Sequence, residues 1–184
     1  MLKISGGQFR GVCLEAPAEL RPTEAKVRQA IFNILGDFVV GARVVDAFAG
    51  SGALGIEALS RGASYVAFIE TDAAAMLAIR DNLAKVDAEL PDGMTRCIQL
   101  PVERGLEVLA KEEPPFDLVI CDPPYGSSEA KKALSTVVEC AMLAPAGVVV
   151  IEHHRRTLLP DESGPLRRQK QHRYGGTVLS LYQA

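Results

Sequence analysis

Residues 46–55 have the composition of a ligand-binding turn and read Asp-Ala-Phe-Ala-Gly-Ser-Gly-Ala-Leu-Gly. They follow the β-branched pair Val44-Val45 and lead into a helical pattern, so backbone N–H groups are expected at the tip of a strand. The three glycines have the G-x-G-x-x-G spacing of dinucleotide-binding folds, and Glu70 follows where a ribose-binding acid would lie. The pattern therefore predicts a site for a nucleotide-like ligand.

Asp46 indicates which class of ligand this is. A carboxylate at this strand end would repel the pyrophosphate of a dinucleotide at short range. S-adenosylmethionine carries an ammonium and a sulfonium and no phosphate, so the same carboxylate would attract it. Glycines would let the backbone approach such a ligand closely. A plain tight turn with a surface aspartate is the alternative.

A second motif, Asp122-Pro123-Pro124-Tyr125, follows the apolar run 118–121 and is called the Asp-Pro-Pro-Tyr loop below. An aromatic or amide NH₂ is a poor nucleophile because its lone pair is delocalised. The Asp122 carboxylate and the Pro123 carbonyl could accept both amino hydrogens, and the prolines add no competing N–H. Tyr125 offers a ring on which a flipped-out base could stack. A Pro-Pro turn with a capping aspartate is the alternative.

The elements that must position these motifs alternate between strand and helix from residue 42 onward. This alternation predicts an α/β fold, with a mostly parallel sheet covered by helices on both faces. Residues 166–173 and 177–182 predict an antiparallel hairpin at the sheet edge. Residues 3–14 predict a glycine-containing hairpin, and the apolar spacing up to Leu35 predicts a helix. We expect one domain over 1–184, with 1–41 as an N-terminal extension and 42–184 as the core.

The net charge of −3 is unevenly distributed over the 184 residues. Residues 1–43 carry +2, residues 44–152 carry −9, and residues 153–184 carry +4. Basic ends around an acidic middle are a weak indication of a polyanionic partner, and a solvated surface is the alternative. No apolar run is long enough to span a membrane, and no signal-like region opens the chain, so a cytoplasmic protein is expected. Neither the cysteines nor the histidines have metal-ligand spacing, so we expect no metal, and we expect the histidines at the surface.

Residues 46–63 together with the Asp-Pro-Pro-Tyr loop resemble the bacterial family that methylates the 2-amino group of a guanine in small-subunit (16S) ribosomal RNA. The flanks agree with this resemblance: Ile4-Ser5-Gly6-Gly7, Arg10-Gly11, Leu20-Arg21-Pro22-Thr23, and Tyr174-Gly175-Gly176-Thr177. The resemblance implies a Rossmann-like methyltransferase that is monomeric and acts on ribosomal RNA, within a partly assembled subunit. It implies a site for S-adenosylmethionine lined by Asp46, Phe48, Gly50, Gly52, Glu70 and Val102. It also implies that Asp122, Pro123 and Tyr125 act in catalysis, and that Pro124 and Tyr125 bind the target base.

Two positions depart from the family pattern. Val12 stands where the family often has a basic residue after Arg-Gly, and Pro101-Val102-Glu103 stands where many methyltransferases place an aspartate near the adenine. Basic residues lie at both ends of the chain. The N-terminal hairpin with Arg10, together with Arg21, is the predicted main RNA face, and Lys3, Lys26 and Arg28 lie at the same end. The tail carries a second basic cluster, formed by Arg155, Arg156, Arg167, Arg168, Lys170 and Arg173. This cluster either adds to that face or is only solvated, and we favour the first. Two alternatives stay open. One is a methyltransferase of the same fold that acts on adenine in DNA or on a protein glutamine, and the other is a non-catalytic or NAD-type nucleotide-binding domain.

Overall fold

The computed structural model describes residues 2–17, 25–126 and 128–184. The helices are α1 (Ala25–Leu35), α2 (Ala53–Ser60), α3 (Ala73–Ala84), α4 (Val102–Glu112) and α5 (Glu129–Glu139). The strands are β1 (Leu2–Lys3), β2 (Cys13–Leu14), β3 (Arg43–Ala47), β4 (Tyr65–Ile69), β5 (Thr95–Ile98), β6 (Phe116–Cys121), β7 (Leu143–His154), β8 (Glu162–Ser163), β9 (Leu166–Tyr174) and β10 (Thr177–Gln183). Short 3₁₀ helices lie at Gly36–Val39 and Asp87–Glu89.

Eight strands form one sheet in the order β5-β4-β3-β6-β7-β10-β9-β8. The five strands from β5 to β7 pair in parallel, and β10, β9 and β8 add antiparallel pairs at one edge. The chain runs outward in one direction from β3 to β5 and in the other direction from β6. The carboxyl ends of β3 and β6 therefore flank the topological switch point, where open α/β sheets bind ligands.

Alternating side chains of the parallel strands enter two cores, one on each face of the sheet. On one face Val44 and Ile120 pack under the N-terminal segment and helices α1 to α3. On the other face Val45 and Val119 pack under α4 and α5. Because both faces are covered, the strands read as apolar runs, as expected for a parallel sheet. The predicted α/β fold is confirmed.

The N-terminal hairpin pairs Leu2 with Leu14 and Lys3 with Cys13, as predicted from the glycines between them. It is fixed to α2 by Glu57, whose side chain is fully buried. The Glu57 carboxylate accepts hydrogen bonds from the Ser5 N–H, the Ser5 hydroxyl and the Gly6 N–H at 2.7–2.9 Å. The hairpin is therefore part of the same packed body as the sheet.

Several boundaries differ from those predicted. The sequence pattern predicts a strand over 148–151 and a helix over 129–142, but β7 begins at Leu143 and α5 ends at Glu139. The short strand β8 was not predicted, because two residues carry no periodicity. Thr23, which the sequence offers as the cap of the first helix, lies outside the described residues. Within the described ranges, no helix has the length and apolarity needed to cross a membrane.

Candidate active site

The turn between β3 and α2 has the backbone conformation that close approach of a ligand requires. Residues 48–52 are called the glycine turn below. Gly50 and Gly52 have φ angles of 55° and 77°. Phe48 also has a positive φ, 64°, which is rare for a bulky side chain and is sustained only where the surroundings impose it. A Cβ on Gly52 would lie 3.3 Å from Ile79 of α3, so the turn has little room for a side chain here.

Asp46 lies beneath this turn. It is the next-to-last residue of β3 and is 1% exposed. One carboxylate oxygen accepts a hydrogen bond from the Gly55 N–H at 2.8 Å. The other oxygen, Oδ1, is buried and has no hydrogen-bond partner among the described residues. Burial raises the pKa of Asp46 well above its usual value, and the nearby charges of Asp122 and Glu70 raise it further. A buried carboxylate with an unused oxygen is suited to a cationic ligand.

Glu70 follows β4 and joins the ends of two strands through its carboxylate. It accepts hydrogen bonds from the Gly50 N–H at 2.7 Å and from the N–H groups of Thr71 and Asp72 at 2.7 and 2.9 Å. Its position beside the glycine turn is the one expected of a ribose-binding acid. Val102 is the first residue of α4 and is buried in the core that α4 and α5 form with the sheet.

The Asp-Pro-Pro-Tyr loop leaves β6 next to the glycine turn. The Asp122 N–H donates to the Ala47 carbonyl on the neighbouring strand at 3.4 Å, two residues beyond the level where Asp46 pairs with Ile120. Asp122 is close enough to Asp46 for its charge to raise the pKa of Asp46. Asp122 is half-buried, Pro123 is buried, and Pro124 is exposed. Tyr125 is 43% exposed, so one part of its ring is open. The structure therefore brings the two predicted motifs together at one edge of the sheet.

The hydroxyl of Tyr125 is anchored by two side chains that sequence reasoning did not select. It donates to Glu152 Oε1 at 2.8 Å and shares a hydrogen bond of 2.6 Å with the Thr177 hydroxyl. The ring also lies 5.8 Å from the ring of His154. Burial raises the pKa of Tyr125 to about 12, so the phenol stays protonated at neutral pH. These contacts fix the orientation of the ring relative to Asp122.

A sequence signal for Glu152 did exist. It follows a buried apolar strand, as Asp46 and Asp122 do, and it lies at the same edge of the sheet. Thr177 belongs to the Tyr-Gly-Gly-Thr flank, but its hydrogen bond to Tyr125 is visible only in the structure. The expectation that the histidines lie at the surface is wrong for His153, which is 3% exposed and bonded to the Ser180 hydroxyl at 2.9 Å. Burial lowers the pKa of His153, so it is neutral at physiological pH.

Comparison with known proteins gives consistent relatives. Residues 2–183 match the family model described as conserved hypothetical protein 95. The chain belongs to this family. Among the relatives, the Bacillus subtilis rRNA methyltransferase YlbH is 36% identical to this chain over 98% of each chain. Escherichia coli ribosomal RNA small subunit methyltransferase D is 33% identical over 99% of this chain and 89% of its own. The solved structure of Escherichia coli yhhF is 32% identical, with a TM-score of 0.82 over 98% of this chain and 96% of that one.

The basic residues predicted to form the RNA face of this family member lie in different environments. Arg28, one of the basic residues at the N-terminal end, is 1% exposed, donates to the Lys3 carbonyl and lies 3.6 Å from Glu57, so it is not available at the surface. Arg21 lies outside the described residues. Arg10 is exposed, but its neighbour Phe9 is bonded to Ser60 at the end of α2. Arg10 therefore lies near the carboxyl end of α2, whose amino end adjoins the glycine turn.

Proposed function

We propose that this protein transfers a methyl group from S-adenosylmethionine to the 2-amino group of a guanine in 16S ribosomal RNA. The observation that carries this proposal is the placement of Asp122 and the open Tyr125 ring beside the buried Asp46, across the switch point of the sheet. The Bacillus subtilis and Escherichia coli relatives are both named as ribosomal RNA methyltransferases, which supports ribosomal RNA as the substrate class.

The residues around the glycine turn fit the cofactor. Asp46 offers one buried, unpartnered oxygen to a cation, and Glu70 offers carboxylate oxygens beside the turn for ribose hydroxyls. Phe48, Gly50 and Gly52 shape the surface that the ligand would approach. When bound, the cofactor supplies a methyl group on a positively charged sulfur.

The Asp-Pro-Pro-Tyr loop would act on the nitrogen that receives the methyl group. The reaction forms an N–C bond and breaks a C–S bond, so the amino nitrogen must lose one proton. Asp122 and the Pro123 carbonyl can accept the two amino hydrogens, which favours a pyramidal nitrogen with an available lone pair. Asp122 is also placed to hold the departing proton. Tyr125 and Pro124 would pack against the base.

The loop alone is equally suited to adenine or to a glutamine amide, so the target needs a direct test. We expect purified protein to methylate small-subunit ribosomal RNA from cells that lack the gene, and mapping to locate N2-methylguanine at one position. Ribosomal RNA from cells with the gene should already carry that group. Methylation of adenine, DNA or a protein glutamine instead would replace the proposed target.

Tyr125→Phe tests how much the hydroxyl anchor contributes. The ring is retained, but its hydrogen bonds to Glu152 and Thr177 are lost, so we expect about a five- to tenfold rise in KM for RNA. Tyr125→Ala should cost more, about 1–3 kcal/mol of stacking. Steady-state kinetics at saturating cofactor would measure both effects. Thr177→Ser keeps the hydroxyl and serves as the control, and an unchanged KM for Tyr125→Phe would show that the anchor is dispensable.

The raised pKa of Asp46 predicts a pH dependence of cofactor binding. A bound cation favours the ionised carboxylate and lowers this pKa, so binding below the raised value must release a proton. Affinity for S-adenosylmethionine should therefore rise with pH through that pKa and level off above it. Calorimetry in two buffers of different ionisation enthalpy would measure the proton release.

Asp46→Asn is the matched variant for this experiment. It should remove this pH dependence and weaken binding by about 1.5–3 kcal/mol, the value of a charge-assisted hydrogen bond. An affinity that falls as pH rises over the same range would contradict the assigned role of Asp46. Tighter binding of NAD than of S-adenosylmethionine would contradict the proposed cofactor.

A further inference from the structure

A basic cavity lies beside the candidate active site, on the antiparallel side of the sheet. It has a volume of about 240 Å³ and is bordered by β7, β9, β10 and the loop after β7. Three arginines line it: Arg155, Arg168 and Arg173. This volume is below the ~300–1,000 Å³ of pockets that enclose drug-sized ligands, so a small group suits it better.

The charge of this cavity is largely uncompensated. Arg168 is paired with Asp161 and donates to the Leu159 carbonyl at 3.2 Å. In contrast, Arg155 and Arg173 form no ion pair within residues 2–17, 25–126 and 128–184, and both are exposed. The described lining residues include no aspartate or glutamate. Guanidinium groups that converge without a carboxylate provide planar donors suited to a phosphate.

The cavity is contiguous with the Asp-Pro-Pro-Tyr loop. His153 and Thr157 line both this cavity and a narrower cleft that is bordered by Pro123, Pro124 and Tyr125. The neighbouring residue His154 contacts the Tyr125 ring. Glu152, His154 and Thr177, which contact Tyr125, alternate along β7 and β10 with the cavity residues His153 and Val178, so the Tyr125 contacts and the cavity lie on opposite faces of the sheet at the same strand end. An RNA strand whose base is held on Tyr125 would pass round this end of the sheet to reach the arginines.

Protection of a sheet edge would explain part of this charge, since β9 is near the edge and basic residues discourage strand pairing. That explanation covers Lys170 and Arg167, which belong to β9 alone. It does not explain Arg155, which comes from another segment and converges on the same cavity as Arg173. Convergence from separate segments is typical of a binding site.

From these observations we propose that the cavity binds a backbone phosphate of the RNA strand that carries the target base. The proposal rests on the proposed function for its choice of RNA. It gives the acidic chain a phosphate contact at the strand ends that border the Asp-Pro-Pro-Tyr loop, whereas Arg10 follows Phe9, which is bonded to the carboxyl end of α2. An RNA large enough to reach both would be held on two sides.

The test is binding of unmethylated 16S ribosomal RNA to the full chain over a salt series, measured without methyl transfer. The double variant Arg155→Ala/Arg173→Ala should raise Kd about tenfold at low salt. It should also reduce the slope of log K against log salt by about 0.7–0.9 for each lost contact. Arg155→Lys should keep much of the slope, because the charge remains. Cofactor affinity should be unchanged in every variant, which confirms folding.

Lys170→Ala is the matched control, since it removes one positive charge from the same strand. Lys170 pairs with Leu181 of the opposite core face, away from the cavity. An equal loss in this control, or an unchanged slope in the double variant, would overturn the proposal. A loss of affinity seen only when the RNA is part of the protein-bound small subunit would also overturn it, because the cavity would then contact a ribosomal protein and not the RNA. Binding is measured apart from methylation. If guanine proves not to be the target, the binding data still test whether the cavity holds a phosphate.

Discussion

Asp122→Ala should lower the rate of methyl transfer by about 10²–10³-fold while leaving cofactor affinity nearly unchanged. The magnitude is that of removing one positioned group that acts on the reacting atom. The two effects separate because the proposed partner of Asp122 is the target amino group, whereas Asp46 and Glu70 hydrogen-bond to residues of the glycine turn and α2. Single-turnover kinetics with saturating RNA would measure the first effect, and calorimetry with S-adenosylmethionine would measure the second.

Two further variants make this result specific. Asp122→Asn keeps one acceptor oxygen and loses the charge, so its rate should fall between those of the wild type and Asp122→Ala. Asp81→Ala removes an exposed aspartate on α3 and should leave the rate unchanged. Turnover by Asp122→Ala at the wild-type rate would exclude the proposed role of the loop in activating the amino group.

The position of these two aspartates was predictable because each follows an apolar run at the carboxyl end of a strand, Val44-Val45 for Asp46 and 118–121 for Asp122. Carboxyl ends of parallel strands meet at one edge, so Asp46 and Asp122 had to lie near each other once the sheet was recognised. The alternation of strands and helices was equally readable, since both faces of the sheet are covered and central strands such as β4 and β6 are mostly apolar. Boundaries were less accurate where the pattern ends gradually, as at the start of β7.

What could not be predicted depends on contacts between distant segments. Thr177 meets Tyr125 only because β10 pairs with β7, a long-range pairing that periodicity does not encode. Arg28 looks like a surface cation in a helical pattern, yet the fold buries it against Glu57. The basic cavity likewise brings together Arg155, from the loop after β7, and Arg173, from β9, with β10 lying between those two strands. Burial of a charge can be inferred only when its partner is known.

That buried pair leads to the largest expected effect on stability. Glu57 is fully buried, and besides the hairpin it binds the Arg61 side chain at 2.8 Å and lies 3.6 Å from Arg28. Glu57→Ala would leave the 1%-exposed Arg28 as an uncompensated charge and remove the acceptor for Ser5 and Gly6. Breaking such a pair costs about 3–5 kcal/mol, a large part of the ~5–15 kcal/mol of a typical domain.

Urea unfolding followed by circular dichroism would measure this loss as a lower midpoint. The control Glu139→Ala removes an exposed glutamate from α5 and should change the free energy of unfolding by less than about 0.5 kcal/mol. Glu57→Gln/Arg28→Met should recover part of the loss, because it removes the stranded cation together with the carboxylate. A Glu57→Ala loss no larger than that of the control would show that the ion pair does not hold the N-terminal segment. Cofactor affinity of the folded Glu57→Ala protein should stay close to wild type, because the Asp46–Gly55 hydrogen bond, which joins β3 to α2 on either side of the glycine turn, does not involve Glu57.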